Sequence, residues 1–179
     1  MKKVGFLMLL IGGLAFAVES MSKEIYYAEI FDSQGNIHKV SDIIVRDPYN
    51  KTRGREGHSL YTKRGDSNQS IPFNKIKEIN LVGELKDNYV PVIIRFTSGE
   101  EEKFLIYLRV SDKYYGKTTW GDSFSIEIEK AKKVIFKHDG RFKKCPLCNT
   151  LFYNTEMTEC PFDGESLIYE GKLLKPARH

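Results

Sequence analysis

The chain has 179 residues, with 28 lysines and arginines against 24 aspartates and glutamates, and 41% of its residues are apolar. That length supports one or two small domains with a modest core. The balance excludes collagen-like, coiled-coil, wholly disordered and multi-span membrane chains.

The chain begins with Lys2 and Lys3, followed by an uncharged run from Val4 to Ala17. The run closes on Ala15-Phe16-Ala17, with small residues at the two positions a signal peptidase reads. Residues 1–17 therefore read as a secretory signal peptide. The run is short for a membrane span, which takes about 20 apolar residues. No cysteine follows it, so no lipid anchor is expected after cleavage. The short, lysine-led start is bacterial in style and points to the periplasm or cell exterior. Removing residues 1–17 leaves a formal charge of +2. That gives no basis for nucleic-acid binding, which depends on dense phosphate neutralisation.

Residues 18–137 read as a β-rich domain. Ile25–Phe31 has strand composition, Asp32–Asn36 is a turn, and Ile37–Val45 is the return strand. Val90–Phe96, the turn Thr97–Glu100 and Lys103–Val110 repeat the arrangement. Ser70–Leu81 also aligns with Ser125–Phe136 at a constant offset of 55, with apolar residues kept at 73, 76, 79 and 81. Two similar units, about 25–81 and 90–136, follow from this match. The expected fold is mainly β, a duplicated unit forming a sandwich or a partly open barrel.

Two connections stand out. Residues 46–59 are polar and glycine-rich, and residues 111–122 carry Tyr114, Tyr115 and Trp120. They read as long loops that cover the end of the β core or face a partner. Glu100-Glu101-Glu102 reads as a solvated sheet edge.

The most specific pattern is C-terminal. Cys145-Pro146-Leu147-Cys148-Asn149 matches Cys160-Pro161-Phe162-Asp163-Gly164 position by position at an offset of 15. In such a knuckle, the first residue and the one three later converge on a metal. The next residue takes a left-handed conformation, which asparagine and glycine tolerate. Leu151–Tyr153 and Leu167–Tyr169 give each knuckle a short apolar strand. So small a unit buries little surface, and a bound metal would supply the missing stability.

Residues 141–173 thus resemble a zinc ribbon, in the variant whose second knuckle reads Cys-Pro-x-Asp-Gly. The resemblance implies a small β module and a structural zinc ion on Cys145, Cys148, Cys160 and Asp163. Carboxylate ligation of zinc is chemically allowed. His138, His179 and water are alternatives to Asp163 as fourth ligand. Lys143, Lys144 and Lys172 stand near enough in sequence to moderate the site's negative charge. A disulfide within Cys145-x-x-Cys148 competes with metal in an oxidising compartment.

Nucleotide-binding glycine loops, His-Glu-x-x-His and Gly-x-Ser-x-Gly are all missing from the sequence. The expectation is a non-catalytic exported binding or scaffold protein, its partner a protein or cell-envelope ligand. The alternatives are a thiol-redox or metal-handling protein, or a cytoplasmic nucleic-acid binder should residues 1–17 not be a signal.

Overall fold

The computed structural model describes residues 23–46, 57–108 and 112–169. The expected signal peptide, His179, Lys172 and most of the 46–59 connection lie outside the described residues. Among the described residues the chain is mainly β, 59% strand, and its helix is limited to two single turns of 3₁₀. No helix there is long and apolar enough to cross a membrane.

The first hairpin joins β1 (Glu24–Asp32) to β2 (Ile37–Arg46). A second joins β3 (Ser59–Arg64) to β4 (Ser67–Pro72). A 3₁₀ turn, Phe73–Lys75, leads into β5 (Ile76–Leu81). The same series follows again: β6 (Tyr89–Phe96), β7 (Glu101–Tyr107), β8 (Lys113–Thr118), β9 (Ser123–Glu127), a 3₁₀ turn at Ile128–Lys130, and β10 (Ala131–Phe136). All ten pair antiparallel in the order β4-β3-β7-β6-β5-β10-β1-β2-β8-β9. The sheet curls into a half-barrel, the partly open form of the two expected.

This order has a two-fold pattern. Exchanging each strand with the one five places away reverses the order and preserves every pairing. The exchange is centred on β5 and β10, where Val134 faces Ile79 directly. Those two positions are 55 apart, the offset at which the two sequences align. The first hairpin turns correspond as well. The Gly35 N–H donates to the Asp32 carbonyl (3.2 Å), and the Gly99 N–H donates to the Phe96 carbonyl (3.0 Å). Both glycines are left-handed, at φ 87° and 94°, as a three-residue hairpin with a bulge requires.

Two expectations need correction. Residues 111–122 are not a long loop, because Lys113–Thr118 form β8 and bury Tyr114 at 1% exposure. β7 as a whole is not an edge strand, since it runs between β6 and β3, but β3 pairs with it only at Leu105 and Ile106, so Glu101 and Glu102 extend past the end of β3. Their carboxylates instead meet Arg95 and Arg64, at 2.5 and 2.9 Å.

Strand alternation sorts the side chains. β1 buries Tyr26, Ala28 and Ile30; β6 buries Val90, Val92 and Ile94; β10 buries Val134 and Phe136. The opposite face is polar and laced with ion pairs, such as Glu78 with Lys133 (3.0 Å) and Arg95 (3.7 Å).

The C-terminal part adds β11 (Lys143–Lys144), β12 (Leu151–Tyr153) and β13 (Ile168–Tyr169). β11 pairs antiparallel with both of the others. β12 then runs parallel to the start of β1, setting Ile25 opposite Phe152 and Tyr26 opposite Tyr153. β1 therefore belongs to both sheets, and it fixes the knuckles against the half-barrel.

Candidate metal centre

The two knuckles have the same backbone hydrogen bonds, 15 residues apart. The Cys145 N–H donates to the Thr150 carbonyl (3.0 Å), and the Asn149 N–H donates back to the Cys145 carbonyl (3.0 Å). In the second knuckle, Cys160 and Glu165 repeat the first bond (2.8 Å), while Gly164 and Cys160 repeat the second (2.8 Å). Asn149 and Gly164 are left-handed, at φ 59° and 76°, as their residue types led us to expect. Each turn also aims an N–H at its first thiol. Cys148 N lies 3.3 Å from Cys145 Sγ, and the Asp163 N–H bonds to Cys160.

This geometry gathers the four predicted side chains. One ligand atom from each of Cys145, Cys148, Cys160 and Asp163 lies within 4.8 Å of all the others. Cys148 Sγ and Cys160 Sγ are 3.7 Å apart, and no disulfide joins any of the three cysteines. Cys145 Sγ is 3.5 and 3.3 Å from the two carboxylate oxygens of Asp163. A tetrahedral ion with metal–sulfur bonds of about 2.3 Å and metal–oxygen bonds of about 2.1 Å needs edges of about 3.8 Å and about 3.6 Å. The Cys148–Cys160 and Cys145–Asp163 separations are close to those edges and the other donor pairs lie within 4.8 Å, so the cluster could bind a metal ion.

The surroundings differ between the ligands. Cys145 and Cys160 are buried, whereas Cys148 is exposed. Burial pushes the Cys160 thiol up to about 12. A hydrogen bond with Thr150 Oγ1 at 3.2 Å is the main influence lowering Cys148. Asp163 is held below the usual carboxylate range, first by the Glu165 N–H at 3.0 Å. An ion at the centre would override the rise at Cys160, because coordination keeps thiols deprotonated.

The alternatives to Asp163 fare differently. His138 is fully buried beside Tyr26, Phe136 and Tyr153, with ring centroids 5.6–5.8 Å away. Its Nδ1 accepts the Gly140 N–H at 3.1 Å. It belongs to the core and is not a member of the cluster. Lys143 does not face the thiols. Its ammonium donates to the carbonyls of Thr155 and Met157 and sits 4.8 Å from the Tyr169 ring centre.

Sequence reasoning missed Thr150, which is buried and serves both Cys145 and Cys148. It also missed the apolar support of the site, where Ile25 and Phe152 pack with Cys145 and Cys160. A polar residue directly after the left-handed Asn149 is a weak signal for the first. Nothing local announces the second, since Ile25 arrives from the far end of the chain. The comparisons add no relative: no protein-family model, curated protein or solved structure matches this chain.

Proposed function

We propose that the chain is an exported, non-catalytic binding or scaffold protein whose C-terminal residues 141–173 form a zinc-ribbon-like module around one structural zinc ion. Cys145, Cys148, Cys160 and Asp163 are its ligands in this reading. The observation that carries it is the gathering of these four donors within 4.8 Å of one another, with the Cys148–Cys160 and Cys145–Asp163 pairs close to the edge lengths of a tetrahedral site. Three thiolates favour zinc over hard, oxygen-loving cations. Zinc in such a closed site has a structural role, supplying folding free energy that the small apolar cluster lacks.

The half-barrel is the proposed binding body, built by duplication of a five-stranded unit. The 55-residue sequence offset and the Val134–Ile79 pairing support that origin. Export rests on the basic start and the Ala15-Phe16-Ala17 close of residues 1–17. The test is metal content on protein recovered from its native compartment, with Asp163→Ala and Asp163→Cys beside it. One zinc per chain is expected. Asp163→Ala should weaken zinc binding at least tenfold, and Asp163→Cys should restore or tighten it. Unchanged affinity in Asp163→Ala would remove Asp163 from the ligand set.

One observation favours a second reading, thiol or metal handling. Cys148 and Asp163 are exposed while Cys145 and Cys160 are buried, so two corners of the cluster face solvent. Fast zinc exchange, with Cys148 the only thiol alkylated in the loaded protein, would support that reading. Three thiols that react only after zinc removal would sink it.

A further inference from the structure

The knuckle segment and the half-barrel enclose a groove of about 430 Å³ between them. Its floor is two cross-strand pairs of β1 and β2, Tyr27 opposite Ser41 and Glu29 opposite Lys39. Its wall is the turn after β12, Asn154 to Met157, together with Pro161 of the second knuckle. That volume is in the range of small-ligand sites, about 300–1,000 Å³.

The charges in the groove are of two kinds. Glu29 is neutralised by Lys137 at 2.8 Å. Lys39 on the floor and Glu156 on the wall are both exposed, and neither has an ion-pair partner among the described residues. Tyr27, Met157 and Pro161 offer apolar surface in the same cavity. Among the described residues the groove thus presents one free cation and one free anion beside a partly apolar lining. The complementary ligand is short, apolar along its body, and carries an ammonium and a carboxylate.

The two-fold pattern shows what creates the groove. In the other half, Ile93 opposite Lys103 stands where Glu29 opposite Lys39 stands here. The strands are equivalent, but the knuckle segment sits on one half alone. Pro161 directly follows Cys160, so the knuckle that supplies a metal ligand also supplies part of the wall. We propose that this groove binds a short peptide through its free ends, the carboxylate on Lys39 and the ammonium on Glu156, with the metal centre holding the wall in place. The assignment rests on the reading of the chain as a binding protein with a structural zinc.

The test is amide chemical-shift mapping on the zinc-loaded whole chain with a panel of Ala-X-Ala tripeptides, X varied over the twenty residues. Metal content is measured on the same sample. Saturable shifts are expected at residues 39–41 and 154–157 with at least one peptide. Acetylating and amidating its ends should weaken binding at least tenfold, as should Lys39→Glu. Lys103→Glu, at the equivalent position of the other half, should leave affinity unchanged, and chelation should abolish binding. Zinc-loaded protein showing no saturable shift with any peptide would overturn the groove assignment while leaving the metal centre intact. Equal affinity for blocked peptides, or for Lys39→Glu, would overturn it too. Protein recovered without zinc would instead contradict the reading on which the assignment rests.

Discussion

The half-barrel and the knuckle segment reach order by different means. The half-barrel has a continuous apolar core running from Tyr26 to Tyr153, with the side chains of Ile30, Phe73, Ile76, Val90 and Phe136 fully enclosed. The knuckle segment's own buried cluster is Ile25, Cys145, Phe152 and Cys160. Two of those four are proposed metal ligands, and Ile25 is borrowed from β1. Ten paired strands can hold themselves together by burial, since each fully enclosed aliphatic or aromatic side chain contributes about 1.5–3 kcal/mol. The knuckles cannot, and their backbone is shaped to bring four donors to one point. The contrast separates a region stabilised by apolar area from one for which we propose stabilisation by coordination.

Chelation is the sharpest way to break that comparison. Structural zinc sites in small modules contribute roughly 10–16 kcal/mol of apparent binding free energy. Removing the ion, or making Cys160→Ala, should therefore erase amide-exchange protection across residues 143–169. Strands β5, β6 and β10 should keep theirs. If the half-barrel lost protection at the same time, the two regions would be one cooperative unit joined through β1.

The converse experiment is Phe73→Ala. Phe73 has no exposed surface and packs 4.8 Å from Phe136 and 5.8 Å from Tyr26, centroid to centroid. Its truncation should cost about 3–5 kcal/mol in denaturant unfolding of the half-barrel, with zinc stoichiometry unchanged. A cost below about 1 kcal/mol would mean that burial is not what holds this region.

His138 lies at the seam between the two regions and gives them a shared acid sensitivity. Burial first, and then the Lys77 ammonium, lower its pKa from 6.5 to about 4, while Asp139 opposes the shift. The unfolded chain takes up this proton below pH 6.5, and the folded chain does so only near pH 4. Stability therefore falls as pH drops through that window, by at most about 3 kcal/mol. Release of the proposed zinc ion would add a second acid-linked loss, because the ligands bind deprotonated. Urea midpoints of wild type and His138→Asn, both measured in chelator between pH 7 and 4, isolate the histidine. The variant should show the shallower decline, and parallel curves would contradict the assignment.

The smallest effect is expected on the polar face. Arg64 and Glu102 are 2.9 Å apart, but the arginine side chain is 63% exposed. Arg64→Ala should change stability by less than about 1 kcal/mol, and less still at high salt. A larger loss would mean that the ion pairs carry part of the sheet's stability.

Much of this was legible in the sequence, for local reasons. Alternating β-formers placed β1, β2 and β6, and the glycines of the tight turns marked their ends. The knuckle turns and the clustering of their side chains came through because left-handed backbone, and side chains converging three residues apart, demand particular residue types at fixed spacing. β8 stayed hidden behind Gly116, a residue that usually interrupts a strand. The fold requires it there. A Cβ on Gly116 would lie 2.3 Å from Val40 Cγ1 and 2.7 Å from the Ser41 carbonyl oxygen. The glutamates of β7 hid that strand's central place, because their partners Arg64 and Arg95 come from other strands. His138 is close to Cys145 in sequence, yet the turn at Asp139-Gly140 separates the core from the knuckle. Nothing in spacing alone reports that turn's direction.

The account's central claim is that three thiolates and one carboxylate hold a single structural zinc. It is tested most directly by zinc X-ray absorption on natively recovered protein, with thiols counted before and after chelation. The account predicts one zinc per chain, a shell of three sulfurs and one oxygen, and three thiols that become reactive only when the metal is removed. Metal-free protein with a single free thiol and one disulfide would contradict it.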